Sequence, residues 1–306
     1  MSIAWLRGAW AAIPTPWTTD GKVDAGAVRE LVQQYVAGGL NGAYTTGTDG
    51  EMHVLEIEDF KALVDAFADA TIEANLPAQI GCTWHHTEGV IERARYARDR
   101  GIPRVQIALP GWVPLSEAEM LDFFADIQEA LPDVDLIHYN IATCGKFLTG
   151  ADYRKILEVA PNLRGSKHTG GNVGSIIEIV QATPELHHFV VDGQIIPGAL
   201  FGAQGFYSFI ANLNPAYAAA LWSDCERADW EAAAHKRVRM DAFFAAWRTS
   251  WNGITASPAL GKIATAARTL PHMPLAVRGP YRAGTDEHVT ALRNLLESDF
   301  PDLMES

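Results

Sequence analysis

The 306-residue chain is 48% hydrophobic and 20% charged, enough apolar material for a large core in one big α/β domain or two small ones. A formal net charge of −13 argues against nucleic acid or an anionic membrane as partner, because both recruit basic surfaces. Cys82, Cys144 and Cys225 are widely spaced and odd in number, so no disulfide framework is expected and a reducing cytoplasm is the simplest setting. Met1–Arg7 lacks the basic start and apolar core of a signal peptide, and no apolar run reaches membrane-spanning length, so a soluble, unexported protein is expected.

Taken in order, Gly8–Ile13 is an apolar run stopped by Pro14-Thr15-Pro16, which predicts a buried strand closed by a rigid loop. Asp24 is placed to cap a helix carrying Val28, Leu31, Val32, Tyr35 and Val36, ended by Gly38-Gly39. The alternation then repeats. A strand at Gly42–Thr45 precedes a helix with Phe60, Leu63, Val64 and Phe67, and Gln79–Cys82 precedes one with Val90, Ile91 and Ala94. Val105–Leu109 leads into Ser116-Glu117-Ala118-Glu119, a capping box. Asp135–Tyr139 leads into a helix from Thr149, and Leu163–Lys167 into one with Ile176, Ile177, Ile179 and Val180; Phe189–Val191 and Phe206–Ser208 are the last two strands.

Eight strand-then-helix units in roughly 225 residues, without hairpin signals, predict a (β/α)8 TIM barrel over residues 1–225. A doubly wound sheet is the competing architecture, and the absence of a GxGxxG after the first strand counts against it. Residues 226–306 are helical throughout, at Trp230–Trp247, Pro258–Thr269 and Glu287–Glu297, and are expected to form a C-terminal helical extension.

Three strand ends carry candidate chemistry. Lys167 closes an apolar run and is followed by Thr169-Gly170-Gly171; a lysine desolvated there is a candidate Schiff-base nucleophile, or else a partner for a strand-end carboxylate. Gly47-Thr48-Asp49-Gly50-Glu51 is a tight turn whose amides and Thr48 hydroxyl could hold a carboxylate, or an ordinary turn. Tyr139-Asn140 lies 28 residues before Lys167, as a site phenol or a core tyrosine. His85 and His86 are adjacent and point different ways on an extended segment, so no metal site is expected.

These motifs together resemble the dihydrodipicolinate synthase and N-acetylneuraminate lyase superfamily. Gly47–Glu51 is similar to the family's glycine-threonine-threonine/serine-glycine-glutamate turn, Tyr139-Asn140 to its tyrosine-asparagine pair, and Gly165-Ser166-Lys167 to its glycine-x-lysine strand. Gly202-Ala203-Gln204-Gly205, followed by Ser208, Asn212 and Pro215, resembles its entry to strand eight, and the likeness runs from Gly8 to roughly Lys262. The resemblance implies a cofactor-free, homotetrameric lyase acting on a small 2-oxo acid. Lys167 would form the iminium, Tyr139 would shuttle the proton, and the Gly47-Thr48 turn would bind the substrate carboxylate.

Departures from the pattern narrow the substrate. Cys144 falls at the offset where dihydrodipicolinate synthases carry an arginine, and Gly111-Trp112 replaces their paired tyrosines, one of which crosses between subunits. Sialic acid lyases place an acidic residue beside the strand-seven aspartate, where this chain has Asp192-Gly193. Gly8-Ala9-Trp10 with Pro14-Thr15-Pro16, and the Pro110–Val113 loop, resemble hydratase-aldolases that cleave aryl-substituted 2-oxobutenoates. Trp84, Trp112, Phe147 and Tyr207 would suit a flat apolar aldehyde half, with Asp192 also at the substrate. Asp49 replaces a family hydroxyl, and its carboxylate should repel a substrate carboxylate unless it turns away, is protonated or meets a cation such as Lys146. A dehydratase or deaminase of a short 2-oxo acid, and a catalytically silent pyruvate-binding barrel, are the alternatives.

Overall fold

The computed structural model describes residues 3–305; Met1 and Ser2, which open the stretch read above for an export signal, lie outside the described residues. Eight parallel strands follow one another in chain order around a closed barrel: β1 Gly8–Ala12, β2 Gly42–Thr45, β3 Ala78–Gly81, β4 Arg104–Ile107, β5 Asp135–Ile141, β6 Leu163–Thr169, β7 His187–Val191 and β8 Gly205–Ser208. They are short and almost wholly buried, as strands covered on both faces must be. This is the (β/α)8 architecture expected from the alternation.

The helices are α1 Ala25–Ala37, α2 Ile57–Glu73, α3 Thr87–Asp99, α4 Glu117–Ala130, α5 Gly150–Val159, α6 Val173–Ala182, α7 Ile195–Leu200, α8 Ile210–Leu213, α9 Pro215–Glu226, α10 Trp230–Arg248, α11 Ser257–Ala264 and α12 Asp286–Asp299. Their starts follow local chemistry. Asp24 accepts from the Ala27 amide at 3.0 Å, and Ser116 with Glu119 forms the expected capping box. The second helix of the C-terminal part changes character along its predicted length: α11 ends as an α-helix at Ala264, and the chain continues to Thr269 as a wider π turn. No helix of the described residues is long and apolar enough to cross a membrane.

The described residues group into two units, residues 3–7 with 78–207, and residues 8–77 with 208–305. The first carries β3 to β7 and β8 as far as Tyr207. Its strands pair in parallel, with one irregularity: the β5–β6 register steps from Leu136 opposite Leu163 to Ile137 opposite Gly165, leaving Arg164 as an extra residue. Gly165 is required at this step, since a Cβ there would lie 2.3 Å from the His187 carbonyl oxygen. Arg164 turns to Asp135, its Nε 3.0 Å from the carboxylate.

The second unit contains β1, β2 and the helices expected as a C-terminal extension. Trp10 and Tyr44 are buried on its two strands, and the Tyr35 hydroxyl donates to Asn212 Oδ1 at 2.8 Å. An aromatic group centred on Phe243 ties α10 to the C-terminus, with ring centroids 5.8 Å from Trp247 and 5.5 Å from Phe300. Burying rings of this size supplies much of the apolar area that holds a helical layer in place.

Candidate active site

β6 alternates its side chains, so Lys167 projects to one face while Ser166 and His168 project to the other. Lys167 is 5% exposed, and its register partner on β5 is Tyr139. The amine lies 4.1 Å from the centroid of the Tyr139 ring and 4.8 Å from that of Tyr207. Two aromatic faces therefore hold one amine in place. The Tyr207 hydroxyl donates to Gln79 Oε1 at 2.5 Å, and burial raises its pKa far above the ordinary range, so this phenol stays protonated at any working pH.

The turn after β2 is built differently. Gly47 packs under Tyr44, where a Cβ would come within 2.3 Å of the ring, and Thr15 Oγ1 donates to the Gly50 carbonyl at 2.8 Å. Glu51, in the left-handed region at φ 60°, is buried. Its carboxylate receives the Trp17 indole N–H at 2.9 Å, the Lys262 ammonium at 2.6 Å and the Arg278 backbone N–H at 2.8 Å. Burial pushes the Lys262 amine below its ordinary pKa, with Glu51 opposing that shift. Neither member of this pair was expected from sequence, because partners 211 residues apart leave no local signal beyond an acidic residue in a tight turn.

Asp49 is answered in the same unit: its carboxylate accepts from the hydroxyl of Ser257, the first residue of α11, where a helix N-terminus favours negative charge. Lys146, considered above as its cation, pairs with Asp152 at 3.2 Å. Gly47 is buried and Thr48 half-buried on this turn.

The remaining expected positions are dispersed. Asp192 opens a 3-10 turn directly after β7. Trp112 is 94% exposed, so within the chain it forms no pocket wall. Trp84 lies under Arg93, whose guanidinium carbon is 3.5 Å from the ring centroid, and Phe147 neighbours His168 at 6.3 Å. His86 caps α3 through the Gly89 amide and meets Glu88, and among the described residues no group of three His, Cys, Asp or Glu side chains could hold a metal. Burial raises the pKa of the Cys144 thiol, which makes it a poor stand-in for an arginine.

A buried lysine on β6 stands against tyrosines of β5 and β8 in a closed (β/α)8 barrel, and comparison with known proteins gives the family. The chain matches the model of the dihydrodipicolinate synthetase family over residues 5–298; it belongs to that family and is an enzyme of its lyase class. It is 27% identical over 276 residues to a 4-hydroxy-tetrahydrodipicolinate synthase of Exiguobacterium sibiricum, covering 88% of this chain and 92% of that one. To the synthase of that name from Haloarcula marismortui it is 25% identical over 294 residues, 95% of this chain and 93% of the other. Among solved structures, YagE, a prophage protein of E. coli K12 crystallised with pyruvate, superposes with a TM-score of 0.87 at 20% identity, covering 97% and 98% of the two chains. The wild-type sialic acid aldolase of Ruminococcus gnavus gives 0.86 at 22% identity, with 98% of each chain covered. These two likenesses speak for the fold.

Proposed function

We propose that this protein is a cofactor-free Schiff-base aldolase that splits a 2-oxo acid into pyruvate and an aldehyde, with Lys167 as nucleophile. The observation that carries the reading is the buried Lys167 amine beside the Tyr139 and Tyr207 rings. The Lys167 amine adds to the C2 ketone and water leaves, giving a protonated imine. The C3–C4 bond then breaks, its electrons passing into the imine to form an enamine, while Tyr139 takes the proton of the C4 hydroxyl. The aldehyde departs, C3 regains a proton, and hydrolysis returns pyruvate and the free lysine.

The finer substrate proposed is an aryl-substituted 2-oxobutenoate, to which water adds at C4 before the bond is cut. Two departures support it: a buried neutral thiol at the arginine's offset, and Asp49 spent on Ser257. The second also weighs against a dehydratase or deaminase, since a carboxylate already receiving a hydroxyl is less available to a polar substrate tail. The assembly proposed is a cytoplasmic homotetramer in which the exposed Trp112-Val113 loop, at 94% and 68% exposure, meets a neighbouring copy beside the substrate's far half. A panel of 2-oxo acids incubated with the protein tests the reading: pyruvate and an aromatic aldehyde in equal amounts support it, and ammonia or a dehydrated 2-oxo acid without aldehyde overturns it.

A further inference from the structure

Behind Lys167, on the opposite face of the same strands, lies a buried polar layer that the chemistry above does not use. Ser166 Oγ lies 2.7 Å from His168 Nε2 and 2.8 Å from His188 Nδ1. His188 Nε2 lies 2.9 Å from the Thr183 carbonyl oxygen. On β5, Asn140 Nδ2 lies 3.4 Å from His168 Nδ1. The direction of every bond follows from these partners. A carbonyl only accepts, so His188 Nε2 carries the proton and its Nδ1 accepts from the Ser166 hydroxyl. Ser166 in turn accepts from His168 Nε2–H, which leaves His168 Nδ1 to accept from Asn140. The Asn140 amide is oriented by Leu148, whose N–H it receives at 2.9 Å and whose carbonyl it meets at 2.9 Å. Burial holds both imidazoles neutral, His188 titrating at about 4 and His168 well below its ordinary value, as this bond order demands.

The layer interleaves with the reactive residues. Above the Arg164 step the register is His138 to Ser166, Tyr139 to Lys167 and Asn140 to His168. Had the register of Leu136 and Leu163 continued unbroken, Tyr139 would stand opposite Ser166 and Lys167 opposite Asn140. A shift of one residue in pairing turns side chains to the wrong face, so that arrangement would separate the amine from the phenol. The chain from Asn140 through His168, Ser166 and His188 to Thr183 binds β5, β6 and β7 to the end of α6 in the stepped register only.

We propose that Ser166, His168 and His188 are positioning residues for Lys167: their neutral hydrogen-bond chain locks the stepped β5–β6 register that sets the amine against Tyr139. The proposal rests on Lys167 being the Schiff-base lysine. Its test is borohydride trapping of pyruvate on the full-length protein, followed by mass spectrometry, with the maximal rate and the half-saturating pyruvate concentration measured separately. Ser166→Ala and His188→Leu should lower the maximal trapping rate about ten- to a hundred-fold, the scale of a small misplacement of a reacting group, with half-saturation little changed. His188→Asn, whose side-chain oxygen takes the place of Nδ1 as acceptor for Ser166, should restore most of the rate. Leu292→Ala, a core truncation on α12, serves as the control and should lose stability while trapping at the normal rate. Equal loss in Leu292→Ala, or unchanged rates in Ser166→Ala and His188→Leu, would overturn the positioning role and leave the Schiff-base reading standing. Failure of the unmodified protein to form an adduct on Lys167 would overturn both.

Discussion

Lys167 and Tyr139 are register partners on neighbouring strands, and the amine nitrogen stands 4.1 Å from the centre of the phenol ring. The ring contact and the hydroxyl can therefore be separated by one substitution. Tyr139→Phe keeps the aromatic face over the lysine and removes the acid–base group. Turnover is expected to fall about a hundred- to ten-thousand-fold, with pyruvate affinity nearly unchanged. Steady-state kinetics beside a pyruvate titration checks this; near-normal turnover would put the proton relay on another group.

Glu51 and Lys262 form a buried ion pair at 2.6 Å, their side chains 2% and 0% exposed. Removing one partner strands the other charge away from water. Lys262→Met is expected to cost about 3–5 kcal/mol of unfolding free energy, read from urea denaturation, and Lys262→Met with Glu51→Gln should recover part of it. Equal stability of the single and double variants would show that the Trp17 and Arg278 N–H groups alone satisfy the carboxylate.

Three buried histidines make the fold acid-sensitive. Burial depresses His138 to about 3, His188 to about 4 and His168 well below the ordinary 6.5. As pH falls through 6.5 the unfolded chain takes up protons that the folded chain refuses, so stability is lost on acidification. Each histidine contributes a slope of up to about 1.4 kcal/mol per pH unit below 6.5, ending at its folded value. Urea unfolding at pH 7, 6 and 5 should show the decline, and His188→Asn should make it shallower. A flat profile over this range would contradict neutral burial of the layer.

Trp112 is 94% exposed, so Trp112→Ala should leave the unfolding free energy of the chain within about 0.5 kcal/mol. If the substrate's far half is aromatic and the indole covers it in the assembly, the Michaelis constant for the full substrate rises, the lost contact being worth about 25 cal/mol per Å². Pyruvate trapping should hardly change, because pyruvate has no far half. An unchanged Michaelis constant would argue for a polar tail, and loss of trapping would mean that the loop supports the barrel face.

The barrel was legible because its evidence is local. Asp24 and Ser116 mark helix starts, and apolar runs such as Ile137 and Val105 mark strands buried on both faces. Lys167 and Tyr139 were legible as candidates near strand ends, although β5 and β6 run on to Ile141 and Thr169 beyond them, and their spacing of 28 is the stepped register itself. The step was not legible, since nothing near Arg164 distinguishes an extra residue from a paired one until Leu136 and Leu163 are seen opposite each other. Long-range polar pairing was equally hidden. Ser257 for Asp49 and Lys262 for Glu51 come from more than 200 positions away, and such partners leave no periodicity to read. The polar residues flanking Lys167, Ser166 and His168, were the one visible sign of the layer behind it: buried polar side chains must find partners.

The central claim is that Lys167 is the nucleophile. Protein, pyruvate and borohydride are mixed, the chain is digested, and the reduced adduct is located by mass spectrometry. Imine formation followed by reduction leaves a stable secondary amine, and the account predicts a single adduct on the peptide containing Lys167, abolished in Lys167→Ala. An adduct on Lys262 or any other lysine, or none at all, would contradict it.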